Sequence, residues 1–211
     1  MIADLQRFQR ALERFDAANA EDPNRALAEG GPQPKELLYA QRMSAMLDRF
    51  APEASEALRL AARSQHIRRW TIPRSDYPGT AAGYKQWRAK LQRFHAQTAA
   101  GMLRECGYGE DTVGRVQALL RKEKLKLDAE VQTLEDVIDL VFLENYLSDF
   151  IARHADYDAA KWIDILKKIW FKMSPRGRSA ALSTIHLPAG LLPLIRAAAA
   201  AGVKMARGPA R

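Results

Sequence analysis

The stretch TLEDVIDLVFLENYL, residues 133–147, constrains the fold more than any other part of the chain. Leu134, Val137, Ile138, Leu140, Val141, Phe142 and Leu143 cover nearly every side of a helix with 3.6 residues per turn. A helix that is apolar all round has to be buried among other elements. The same period recurs elsewhere, as in the stripe Leu5, Phe8, Leu12 and Phe15. No run alternates like a strand, and no internal repeat is present. The pattern therefore predicts an all-α bundle of about eight or nine helices.

The helices read as follows. The first spans about 3–18, and a Pro/Gly-rich connection, AEDPNRALAEGGPQP, covers 20–34. The second begins near Pro34, the third covers about 52–70, and a loop with two prolines and two glycines fills 71–83. The fourth ends at Gly107, a good C-cap. The fifth carries EDTVGRVQALLRKEKLK, and the sixth runs from about 128 to 153. Three more helices follow, one over DAAKWIDILKKIWFKM, one from Ser174-Pro175 and one from Pro188. The reading is one helical domain over 1–200, with a core at 35–150, C-terminal helices at 158–200 and a flexible basic tail at 202–211.

Hydrophobic residues make up 47% of the 211, enough for a substantial core. The single cysteine, Cys106, excludes an intrachain disulfide framework. The charged N-terminus lacks a signal-peptide core, and no run approaches the roughly 18 apolar residues of a membrane span. A cytoplasmic protein without a membrane partner is expected. The formal charge of +8 favours an anionic partner such as a nucleotide, a phosphate ester or nucleic acid.

Several polar residues stand where apolar ones belong. Glu135, Asp136 and Asp139 interrupt the buried helix. A buried carboxylate needs a hydrogen bond, a counter-ion or a cation. Pairing with Arg or Lys from a neighbouring helix and a metal or catalytic role both remain open. Gln41, Gln65, His66 and His95 each sit beside small or apolar residues one helical turn away. Singly, each reads as a satisfied core residue. Together they offer polar groups from several helices, which is how bundle cores build metal sites. His154, at a helix C-terminus, and His186, in a connector, read as structural.

The segments YAQRMSAML, LRLAARSQHIRRW, RFHAQTAAGML and VQTLEDVIDLVFLE, within residues 35–150, resemble the HD-domain superfamily of metal-dependent phosphohydrolases. In that resemblance Gln41 stands in the first-His place, Gln65-His66 in the His-Asp place, His95 in the place of an additional His and Asp136 in the final-Asp place. Only Asp136 keeps the residue type. The resemblance implies a divalent transition metal on His66, His95 and Asp136, with an amide oxygen from Gln41 or Gln65. It gives Gln65 the orienting of a metal-bound water, and makes Glu135 or Asp139 a group that holds an imidazole. The motifs DAANAEDPN, AQRMSAML, QHIRRWTIPR and LEDVIDLVFLE are also similar to a family of bacterial and fungal proteins described as a domain of unknown function.

Between residues 63 and 93 eight basic residues face one acid, with Trp70, Tyr77, Tyr84 and Trp87 interleaved. Arg69, Arg74 and Arg88, with Lys122 and Lys124 from the second basic run LLRKEKLK, are the candidate phosphate-binding residues. Trp70 and Tyr84 are the candidate stacking residues. A solvated basic face is the plainer alternative. The leading expectation is a phosphorylated small molecule, a nucleotide first, and metal-dependent phosphohydrolase chemistry on it. The rival is a non-catalytic module that binds nucleic acid or senses a ligand.

Overall fold

The computed structural model describes residues 2–28, 30–187 and 191–206. Ten α-helices, two short 3-10 turns and one two-stranded hairpin make up its regular elements among those residues. The chain divides into two compact units, residues 1–134 and 135–211.

The first unit opens with α1, Leu5–Ala20. Asp4 caps it by accepting from the Arg7 amide at 2.9 Å, which satisfies one of the donors a helix start leaves bare. The expected connection at 20–34 contains an antiparallel hairpin, β1 (Arg25–Ala28) against β2 (Gly31–Pro34), with Ala28 opposite Gly31. Gly31 turns the hairpin at a φ of 105°, which a side chain would resist. Four-residue strands this short carry no alternation a sequence reading can detect.

Helix α2 covers Lys35–Phe50, with Pro34 as its N-cap residue. Helix α3 covers only Glu56–Arg63. The sequence predicts a helix to about residue 70, and the structure stops it seven residues earlier. The Ser64 hydroxyl donates to the Leu60 carbonyl at 2.8 Å. Arg68 then adopts a left-handed φ of 50°, and its amide is held by the Asn19 side-chain oxygen at 3.0 Å. Two 3-10 turns follow, Arg69–Thr71 and Arg74–Asp76. QHIRRW is therefore a folded turn whose side chains leave in several directions.

Helix α4 (Ala81–Glu105) is capped by Thr80, and α5 (Glu110–Leu120) packs against both α4 and α3. Phe15, Met43, Leu47, Leu58, Leu60, Ile67, Leu103 and Leu119 fill this unit's core. The predicted fifth helix ends six residues early, because Lys122, Lys124 and Lys126 take φ values of 56°, 56° and 76°.

The division between the units falls within α6, Ala129–Asn145. The predicted sixth helix breaks at Tyr146, and α7 covers Leu147–Arg153. Helices α8 (Ala159–Lys172), α9 (Pro175–Ser183) and α10 (Leu192–Ala206) complete the second unit, with α8 packed against α10. Pro188, read as the start of the last helix, and residues 207–211 of the predicted tail lie outside the described residues. No described helix is long and apolar enough to cross a membrane.

Candidate functional site

The site grows from the start of α2. Asp22 is buried, and its carboxylate accepts from the Asn24 amide at 2.9 Å and the Glu36 amide at 3.0 Å. That pins the first turn of α2 and buries Glu36 to 4% exposure. Glu36 Oε2 lies 3.1 Å from His66 Nδ1, and its Oε1 lies 3.6 Å from Arg69 Nη1. Tyr39, one turn after Glu36, stacks on the His66 ring at 3.9 Å with an interplanar angle of 13°. One helix face thus supplies both the carboxylate and the platform for a single imidazole.

The second imidazole comes from α4. His95 Nδ1 lies 2.9 Å from the Ile67 carbonyl, which can only accept, so Nδ1 carries the proton. Its Nε2 is a bare lone pair, buried and without a hydrogen-bond partner. Burial, the neighbouring His66 and Arg69 bring the His95 pKa down to about 3, so the ring is neutral at physiological pH. The His66 and His95 ring centres are 5.9 Å apart.

His66 is pushed well below the ordinary histidine range, first by burial and then by the charges of Arg69, Arg88, Lys122 and Lys35. Burial raises the Glu36 carboxyl, and Arg69 and Lys35 oppose that. Arg69 lies over the Trp87 ring at 4.9 Å, and Trp87 Nε1 donates to the Ile72 carbonyl at 2.9 Å. Buried polar atoms without a hydrogen-bond partner in this neighbourhood are Gln65 Oε1, Arg68 Nε, Arg69 Nε and His95 Nε2, with Asn19 Nδ2 beside them. Such atoms are uncommon in folded proteins, and strain, a functional role or an ordered water accounts for them.

The predicted residues fare unequally. Gln65, His66, Arg69 and His95 sit in or around the turn after α3, and the charges of Arg88 and Lys122 act on His66. Gln41 is exposed on α2. Arg74 donates to the Tyr77 and Pro78 carbonyls, both at 2.8 Å, and so braces its own loop. Lys124 is exposed. Trp70 lies half-buried in the first 3-10 turn, and Tyr84 is half exposed beside Trp87. His154 and His186 contact the Phe150 carbonyl and Glu144, within the second unit.

The acids of α6 have partners within the second unit. Lys172 Nζ lies 3.3 Å from both Glu135 and Asp139. Asp136 accepts from the Ser174 amide and hydroxyl at the start of α9. Gly177 leaves room for that contact, since a Cβ there would lie 2.6 Å from Asp136 Cγ. This is the ion-paired alternative that the sequence left open. Among the described residues, no group of three or more His, Cys, Asp and Glu side chains is gathered to hold a metal ion.

Sequence reasoning missed Glu36, Tyr39, Asp22 and Asn19. Glu36 looks like an ordinary acid in a helix's first turn, where the dipole favours it. The pair Glu36 and Tyr39 at i, i+3 was the one available signal, and only a known position for His66 gives it meaning.

Comparison with known proteins adds one finding. A family model described as a domain of unknown function (DUF4202) matches residues 9–195. No curated protein and no solved structure matches the chain.

Proposed function

The chain belongs to the DUF4202 family, and we propose that its first unit binds a phosphorylated ligand, a nucleotide foremost, at the turn carrying His66. The observation that supports this most is the conjunction at that turn. Unpartnered Gln65 Oε1 and Arg69 Nε belong to the same turn as His66, His95 with its bare Nε2 lies 5.9 Å away between ring centres, and four positive charges act on the His66 imidazole. Arg69 Nε is a donor of the kind phosphate takes, and Arg88 and Lys122 add positive charge that acts on His66. Trp87, buried beneath Arg69, steadies that guanidinium, and Tyr84, half exposed beside Trp87, keeps the stacking role.

The fold is read as a divergent HD-like one, with phosphohydrolase chemistry. That reading rests on the sequence motifs and on two imidazoles held by their Nδ1 atoms. A second reading is favoured by His95 Nε2 and Gln65 Oε1, the lone pairs left unused. In it His66, His95 and Gln65 hold a divalent transition metal that accepts neutral imidazole. When bound, that metal would supply a water of lowered pKa. The surrounding cations favour the anion over the metal ion. The test is titration calorimetry of inorganic phosphate, AMP and ATP into chelator-treated and metal-supplemented protein. Binding of ATP without metal supports the leading reading. Binding that appears only with metal supports the second, and no binding in either state overturns both.

A further inference from the structure

We propose that His66 Nε2 is a nucleophile that takes up a phosphoryl group from a phosphoanhydride. This deepens the reading above and rests on it. The geometry has four parts. Glu36 holds the Nδ1 side of the ring at 3.1 Å, so Nδ1 carries the proton and Nε2 carries the lone pair. Tyr39 stacked at 3.9 Å fixes the ring plane. The His66 ring is hydrogen-bonded at Nδ1, opposite Nε2, and the side chain keeps 15% exposure, whereas His95 Nε2 is sealed from solvent. Arg69, which also reaches Glu36 at 3.6 Å, and Arg88, Lys122 and Lys35 place positive charge near the ring. A buried carboxylate behind a neutral imidazole stabilises the cation that forms as the imidazole attacks.

The step balances as follows. The His66 Nε2 lone pair forms a bond to phosphorus as the bond from phosphorus to the bridging oxygen breaks. The bond pair leaves with that oxygen. Nδ1 keeps its proton, and the positive charge on the phosphorylated ring is met by Glu36. Water then attacks phosphorus, the Nε2–P bond breaks with its electron pair returning to nitrogen, and inorganic phosphate and a proton are released.

The substrate class follows from what the pocket cannot donate. His95 has its Nδ1 proton committed to Ile67 and a bare Nε2, so it accepts hydrogen bonds and protonates nothing. Arginine and lysine stay charged and stabilise an anion. The leaving group therefore has to depart as a stable anion. A nucleoside triphosphate, a nucleoside diphosphate or pyrophosphate meets that requirement. An alkyl phosphate monoester, whose alkoxide needs a proton, does not.

The experiment incubates the full chain with ATP radiolabelled in its γ-phosphate and quenches in alkali, where phosphohistidine survives. The protein-bound label is then mapped by digestion, and ATP binding to the unmodified wild-type chain is measured in parallel. The expected result is an acid-labile, alkali-stable label on the peptide that contains His66. It should be absent from His66→Gln and His66→Asn and at least tenfold weaker in Glu36→Gln, all checked for native circular dichroism. Label that persists in both His66 variants, or ATP binding without any label, overturns the proposal while the binding reading stands. Absence of ATP binding overturns the binding reading itself, and the proposal with it.

Discussion

His95 ties the stability of the first unit to pH in a direction the structure fixes. Its pKa falls from an ordinary 6.5 to about 3 on folding. The unfolded chain therefore takes up a proton there between those two values and the folded chain does not. Stability from this group is complete above pH 6.5 and is lost progressively as pH falls toward 3. Each pH unit inside that window costs about 1.4 kcal/mol, so the drop from the top of the window to about pH 5 costs roughly 2 kcal/mol. His66, also depressed, adds to the loss, and Glu36, raised by burial, opposes it. His95→Gln separates the contributions, because His66 and Glu36 remain. The variant loses the hydrogen bond to Ile67, worth about 1 kcal/mol, near neutral pH. It should then lose less than wild type on acidification. Urea unfolding of both proteins at several values between about pH 7 and pH 5 measures this. The difference between wild type and variant should shift by roughly 2 kcal/mol, so that the more stable protein at about pH 7 becomes the less stable one at about pH 5. Parallel curves would refute the claim that a buried neutral imidazole faces Ile67.

Other expectations follow from the same contacts. Gly177→Ala should cost about 1–3 kcal/mol through the close approach to Asp136, and an unchanged melting temperature would contradict that packing. Asn19→Ala strips the acceptor from the Arg68 amide and should cost about 1–3 kcal/mol, read as a lower urea midpoint. Arg88→Ala and Lys122→Ala should each weaken ATP binding about tenfold, the effect of losing one charge-assisted contact of about 1.5 kcal/mol. Arg74→Ala should leave binding nearly unchanged, since that side chain braces its own loop. If the basic face serves nucleic acid instead, RNA will bind with an affinity that falls steeply with salt, and neither Arg88→Ala nor Lys122→Ala will act on nucleotide.

Periodicity made the helical class legible, because buried faces at 3.6-residue spacing leave a mark in composition. It did not show where the helices stop. The turn that follows α3 depends on Asn19, which accepts from the amide of Arg68, 49 residues away, and holds that left-handed residue in place. The three lysines that turn the chain after α5 likewise read as helix formers until their φ values are seen. At the site, His66 and His95 stood out because a polar ring among small residues needs a partner. Their partners did not stand out. Glu36 is an unremarked acid in a first turn, and the Ile67 carbonyl is backbone. The acids of α6 drew attention for a sound reason, since buried charge demands compensation, but which cation answers it is a tertiary fact. Lys172, 33 residues from Asp139, is part of that answer.

The most direct test of a phosphate-binding imidazole pocket is nitrogen-detected NMR of the histidine rings, recorded before and after ATP is added. The account predicts that His66 and His95 are both neutral, with protonated Nδ1 and bare Nε2. It further predicts that the His66 Nε2 resonance moves on ATP addition while those of His154 and His186 stay put. Charged rings at neutral pH, or ATP that binds without moving the His66 resonance, would contradict it.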